Sequence, residues 1–191
     1  EAPGTQGTLD NLNAIVACSE RDPVRQSIEL ESFSQLEQSV SDKAASQLSF
    51  PRSLMVCGRS VSMLSIGHDK IAGLPLTFGY CFPNLVDLRL TFNELVELPD
   101  SIGTMDRLEA LDVSNNKLES LPEALGKCTR LKVLKASNNH IMSLPATLTN
   151  CILLEEVHLR NNHVVSYPSR IVVRLTKLRL LDLDDNARRQ Q

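Results

Sequence analysis

The chain has no tryptophan, and only seven of its 191 residues are aromatic. A core built mainly from packed rings is therefore excluded, and the apolar volume has to come from aliphatic side chains. No uninterrupted apolar run reaches the roughly 20 residues that a membrane-crossing helix needs. A basic excess is also missing: the net charge of −3 excludes a globally basic nucleic-acid binder, though not a local basic patch. None of the twelve asparagines begins an Asn-x-Ser/Thr sequon. The five cysteines, Cys18, Cys57, Cys81, Cys128 and Cys151, are odd in number and unclustered, which argues against a disulfide framework. Residues 1–20 lack a basic segment leading into an apolar one, and a cleaved signal would leave no trace behind Glu1. Together these absences predict a reducing, intracellular compartment, most simply the cytoplasm.

Leucine is what the chain has instead. Of 31 leucines, five fall in residues 1–53 and 26 in residues 54–191. The second stretch is periodic: Leu85-x-x-Leu88-x-Leu90-x-x-Asn93-x-Leu95-x-x-Leu98-Pro99 sets a frame. It recurs from Leu108, Leu131, Leu154 and Leu178, and backwards from Val61, at intervals of 23 or 24 residues. A repeat at such a period means stacked units, each too small to bury its apolar side alone. Frame positions 4 and 6 alternate with polar neighbours, as in a short strand with its leucines turned inward.

The ninth position reads Asp69, Asn93, Asn116, Asn139, Asn162 and Asn186. A short polar side chain there can satisfy backbone groups where the chain leaves the strand. Proline stands at 75, 99, 122, 145 and 168, where a fixed φ and a missing N–H suit an extended or turning segment. Phe78, Ile102, Leu125, Leu148 and Ile171 form a further apolar column, and Cys81, Cys128 and Cys151 share another with Met105. The cysteines read as small buried hydrophobes; a Cys128–Cys151 redox pair or a metal site has little support from the spacing.

This frame resembles the leucine-rich repeat, and its 23-residue Leu-Pro form is similar to the intracellular Ras-group repeats of Scribble-, Erbin- and Ras-suppressor-like proteins. The resemblance spans residues 61–186. It implies an α/β leucine-rich-repeat solenoid: a curved parallel sheet on the concave face, irregular or 3-10 segments on the convex face, and binding of other proteins. Val61, Gly67-His68 and Asp69 depart from the pattern and suggest a transitional first coil. The last repeat is truncated after Asn186, which suggests a longer chain or array.

Residues 1–8 read as linker. Leu9, Leu12, Ile15 and Val16, and then Val24, Ile28, Phe33, Leu36, Val40, Ala44 and Leu48, have helical steps, with Asp22-Pro23 as a helix start. They predict two helices, 9–20 and 23–47, within an N-terminal helical segment, 9–53, that caps the solenoid or binds a partner. That segment and its linker carry eight acids and four bases, net −4, against 15 acids and 16 bases afterwards, net +1. Residues 54–191 form the solenoid, with Leu54–Cys57 as its first extended stretch.

No catalytic constellation, metal-ligand set or cofactor motif emerges. His68, His140, His158 and His163 stand beside no nucleophile motif, and Gly58, Gly67, Gly73, Gly79 and Gly103 are dispersed in turns. The paired acids Glu155-Glu156 and Asp184-Asp185 read as solvated surface.

Binding is the better-supported function. Positions 3, 5, 7 and 8 project from the concave strand, and they nominate Arg89, Phe92, Asp112, Lys135, His158 and Arg160 as partner-binding residues. Phe92 beside Arg89 has the composition of an interface anchor. Arg160, Arg170, Arg174, Lys177 and Arg179 form a possible basic patch for an acidic partner or a membrane surface. The sequence thus predicts a non-enzymatic scaffold or interaction module. A regulatory subunit of a phosphatase, kinase or small GTPase, or a permanent component of a large assembly, is compatible with the same residues.

Overall fold

The computed structural model describes residues 26–30, 48–49 and 58–186. Its strands are β1 (Gln26–Leu30), β2 (Leu48–Ser49), β3 (Val61–Ile66), β4 (Ile71–Gly73), β5 (Asp87–Arg89), β6 (Ala110–Asp112), β7 (Val133–Lys135), β8 (Glu156–His158) and β9 (Leu180–Asp182). Seven of them form one sheet in the order β1-β3-β5-β6-β7-β8-β9, parallel throughout, while β2 pairs with β4. Each coil of the repeat therefore adds one strand beside the last.

From β5 onward the strands are short because only positions 3 to 5 of each coil are extended and paired, whereas β3 covers positions 1 to 6 of the first coil. Positions 4 and 6 turn inward: Leu64 and Ile66, Leu88 and Leu90, Leu111 and Val113, Leu134 and Ala136, and Val157 and Leu159 are each at most 1% exposed. Each such leucine contributes about 1.5–3 kcal/mol by burial, so stability grows coil by coil. In the last coil Leu178, Leu181 and Leu183 are only partly buried, since among the described residues they have a neighbouring coil on one side only.

The asparagine column acts as expected. Asn116 Nδ2 donates to Leu90 O of the preceding coil (2.8 Å) and to Val113 O of its own (3.0 Å), while its Oδ1 accepts from Leu95 N (3.0 Å). Asn93, Asn139, Asn162 and Asn186 repeat the pattern. One side chain thus satisfies buried backbone groups on two coils at once. On the other side of the coil, each proline carbonyl accepts from the N–H three residues on, as in Ile102 N to Pro99 O (3.0 Å). This closes a 3-10 turn at Asp100–Thr104, Glu123–Lys127 and Ala146–Asn150.

The difference between the 23- and 24-residue spacings has a local cause. The longer coils close with a four-residue α-helical turn, α1 (Phe78–Cys81) and α2 (Ile171–Arg174), in place of the 3-10 turn. Leu175 N accordingly bonds Ile171 O four residues back, where Cys128 N bonds Leu125 O three back. The added residue corrects the cysteine column: Phe82, not Cys81, lies with Met105, Cys128, Cys151 and Leu175 in the buried ladder, and Cys81 is only half-buried. The glycines are also less dispersed than they look. Gly79, Gly103 and Gly126 occupy one column where adjacent turns meet. A Cβ on each would fall on a carbonyl of the next coil, at Ser101, Ala124 and Thr147.

The expected helix over 23–47 does not hold at Gln26–Leu30, which is β1 and pairs with β3, in register from Ser27 onward, Ile28 opposite Leu64 and Leu30 opposite Ile66. Ile28-x-Leu30 carries the same two-residue alternation as every later strand. Its distance from Leu64 breaks the 23-residue period, and three- and four-residue steps through neighbouring apolar residues mimic a helix. Leu48–Ser49 is likewise extended. The linker at 1–8, the helix at 9–20, the rest of 23–47, the extended stretch at 54–57 and the tail at 187–191 lie outside the described residues.

Candidate protein-binding surface

The parallel register lines up the outward residues of successive strands. Ser65 is opposite Arg89, Arg89 opposite Asp112, Asp112 opposite Lys135, Lys135 opposite His158, and His158 opposite Asp182. Four of the nominated residues, Arg89, Asp112, Lys135 and His158, therefore form one row at strand spacing, about 4.8 Å per step. Charge alternates from Arg89 to Asp112 to Lys135 along the row. A second row, position 3, runs beside it through Met63, Asp87, Ala110, Val133, Glu156 and Leu180.

The two rows hold each other. Arg89 donates Nε and Nη2 to the two carboxylate oxygens of Asp87 (3.2 and 2.7 Å), a bidentate pair that fixes the guanidinium plane. His158 Nε2 lies 3.1 Å from Glu156 Oε2. Asp112 Oδ1 accepts from Ser114 N (3.0 Å), which turns its carboxylate along the strand. Lys135 is exposed at the centre of the row.

Arg160 is not part of this row. It bonds Asp185 Oδ2 through Nε and Nη2, both at 3.1 Å, and that carboxylate holds its pKa above the usual arginine value. It therefore belongs to a paired site at the rim of the last coil. Of the paired acids, Glu155 and Glu156 are half-buried and face Arg179 and His158, and Asp185 is the partner of Arg160.

Phe92 differs more. Position 8 does not project from the strand as expected but sits in the turn after it, in the left-handed region. Its occupants there are His68, Phe92, Asn115, Asn138, Asn161 and Asp185, with φ between 55° and 62°. Asparagine, aspartate and histidine tolerate this region, whereas a bulky ring does so at a cost of about 1–3 kcal/mol. Phe92 is nevertheless there, 49% exposed, with its ring stacked on His68 at 4.4 Å and 10°. Sequence reasoning missed both His68 and Asp87. The run of Asn and Asp at position 8 was the available signal for a left-handed turn.

The two buried cysteines of the ladder offer no nucleophile. Cys128 and Cys151 donate their thiols to Ile102 O (3.3 Å) and Leu125 O (3.5 Å), and burial pushes them up to about 12 and about 11. A buried thiol that stays protonated is inert at neutral pH. Among the described residues, no group of three or more His, Cys, Asp or Glu is placed to hold a metal ion. Among the same residues no helix is long and apolar enough to cross a membrane.

Residues 83–141 match the family model described as leucine rich repeat. The fold is a leucine-rich-repeat solenoid. Solved structures agree. The leucine-rich repeat domain of the type III effector XopL superposes with a TM-score of 0.70 at 23% identity, over 97% of this chain and 60% of that one. A leucine-rich-repeat protein of Leptospira interrogans gives 0.57 at 26% identity, over 71% of this chain and 40% of that one. The leucine-rich-repeat ectodomain of the Arabidopsis thaliana receptor kinase GASSHO1/SCHENGEN3, solved in complex with CASPARIAN STRIP INTEGRITY FACTOR 2, gives 0.62 at 28% identity, over 71% and 17%. The chain thus spans less than two thirds of each of these proteins. No curated protein sequence matches it.

Proposed function

We propose that this chain is a non-enzymatic interaction module that docks a protein partner on the concave face of its sheet. Leucine-rich-repeat proteins generally mediate protein–protein interaction, and solved neighbours hold protein partners. The observation that carries the reading is the in-register row Arg89, Asp112, Lys135, His158, with Arg89 locked by Asp87 and Phe92 standing strained beside it. Alternating charges on a rigid surface specify a partner more than they bind it; Phe92 supplies the desolvated anchor. The 23-residue coils with their Leu-Pro step and 3-10 turns support the Ras-group subtype. The free cysteines among the described residues and the absence of sequons support a place inside the cell.

Affinity capture from native extract with mass spectrometry identifies the partner, and the Arg89→Ala, Phe92→Ala protein then tests the surface. Its binding should weaken by about 2 kcal/mol or more, with thermal unfolding no worse than in the parent. Undiminished binding by that protein overturns the assignment of the site.

A further inference from the structure

The basic patch suggested by the sequence changes composition in three dimensions. Arg160 leaves it, because it pairs with Asp185 on the sheet side, and Arg179 lies 3.8 Å from Glu155. Two bases from a distant part of the chain join it. Lys127 and Arg130 end the third coil of the repeat frame, and Arg170, Arg174 and Lys177 end the fifth, on the same flank. All five are exposed, and among the described residues none makes an ion pair.

The coil between them carries no charge at the equivalent stretch, Asn150-Cys151-Ile152-Leu153, and Ile152 is 52% exposed there. Val173 on α2 is 75% exposed between Arg170 and Arg174. Ile152 thus stands between two basic rows, with Val173 inside the second, and the rows are two coil spacings or about 10 Å apart at the spacing of the sheet. That is close to the diameter of a helix with its side chains, about 10–12 Å.

We propose that this flank binds an acidic amphipathic helix of a protein partner, its apolar stripe on Ile152 and Val173 and its carboxylates on the two rows of bases. The unpaired positive charge calls for a negative occupant, and the exposed Ile152 and Val173 call for one that also buries aliphatic surface. A membrane surface fits less well, because interfacial anchoring relies on aromatic side chains. The chain has no tryptophan, and no aromatic residue stands in the stretch between the two basic rows, Asn150–Leu153. The site is separate from the sheet face, so it stands or falls independently of the concave-face reading.

The probe is a short labelled helical peptide with leucines along one face and glutamates on both sides of it, followed by fluorescence anisotropy. The peptide should bind, and binding should weaken as salt rises. Arg174→Glu with Lys177→Glu should weaken it about tenfold or more. Ile152→Asp should also weaken it, while Arg89→Ala with Phe92→Ala should leave it unchanged. Each variant changes exposed side chains, and its melting temperature checks that it is folded. Absence of binding at low salt overturns the proposal, as does binding indifferent to the charge reversals or abolished by the sheet-face pair. Co-sedimentation with phosphatidylserine vesicles in place of peptide binding overturns it in favour of a lipid surface.

Discussion

At the scale of single residues, Phe92 and Asn115 hold the same backbone conformation, φ 55° and 59°, with very different side chains. The asparagine suits the turn; the phenylalanine strains it. Phe92→Asn should therefore raise stability by about 1 kcal/mol in chemical denaturation, while reducing capture of the concave-face partner. A variant that is both less stable and still fully competent to bind would show that the ring is structural. The buried thiols make a second prediction, about pH. Cys128 and Cys151 are held above their ordinary value of 9.0, at about 12 and about 11. The folded state thus keeps its protons when the unfolded chain begins to lose them. Their contribution is whole below about pH 9, and it falls as the pH rises from there through 11 and 12. Melting temperature should decline over that range with a steeper slope than in the Cys128→Ala, Cys151→Ala protein, and equal slopes would refute the assignment.

At the scale of the element, the convex turns are set by what the next turn permits. Gly126 lies where a Cβ would meet Thr147, both its side chain and its carbonyl, whereas a Cβ on Gly73 would meet nothing within 4 Å. Gly126→Ala should cost about 1–3 kcal/mol by overpacking, and Gly73→Ala should be near neutral; guanidinium unfolding of the two proteins checks the contrast. The repeat period was legible because each coil needs the same inward leucines, asparagine and proline. Whether a coil has a 3-10 or an α-helical turn was not read, although the 23- and 24-residue spacings contain that information. The glycine column was visible too, at Gly79, Gly103 and Gly126, but only neighbouring coils reveal why it is there.

At the scale of the whole molecule, contacts are almost all between adjacent coils, and stability is then close to a sum of coil and interface terms. The inner strands β6 and β7 have a partner on each side, while β9 has one among the described residues, with Leu181 and Leu183 partly uncovered beneath it. Amide hydrogen exchange should therefore be slowest in Ala110–Asp112 and Val133–Lys135 and measurably faster in Leu180–Asp182. Uniform protection across the three strands would mean that the stack opens as one unit.

The sequence by itself determined the coil: which residues point inward, where asparagine joins two turns, where proline ends the extended stretch. Those choices are local and recur in every unit, so periodicity exposes them. It also placed Arg89, Asp112, Lys135 and His158 in one column. Only the tertiary structure decided what that column meets, because side-chain pairing depends on neighbours outside the unit. It took Arg160 away to Asp185, tied Arg89 to Asp87, turned position 8 into a left-handed corner that sets Phe92 on His68, and made Ile28-x-Leu30 a strand. Strand pairing across an irregular gap has no period to announce it.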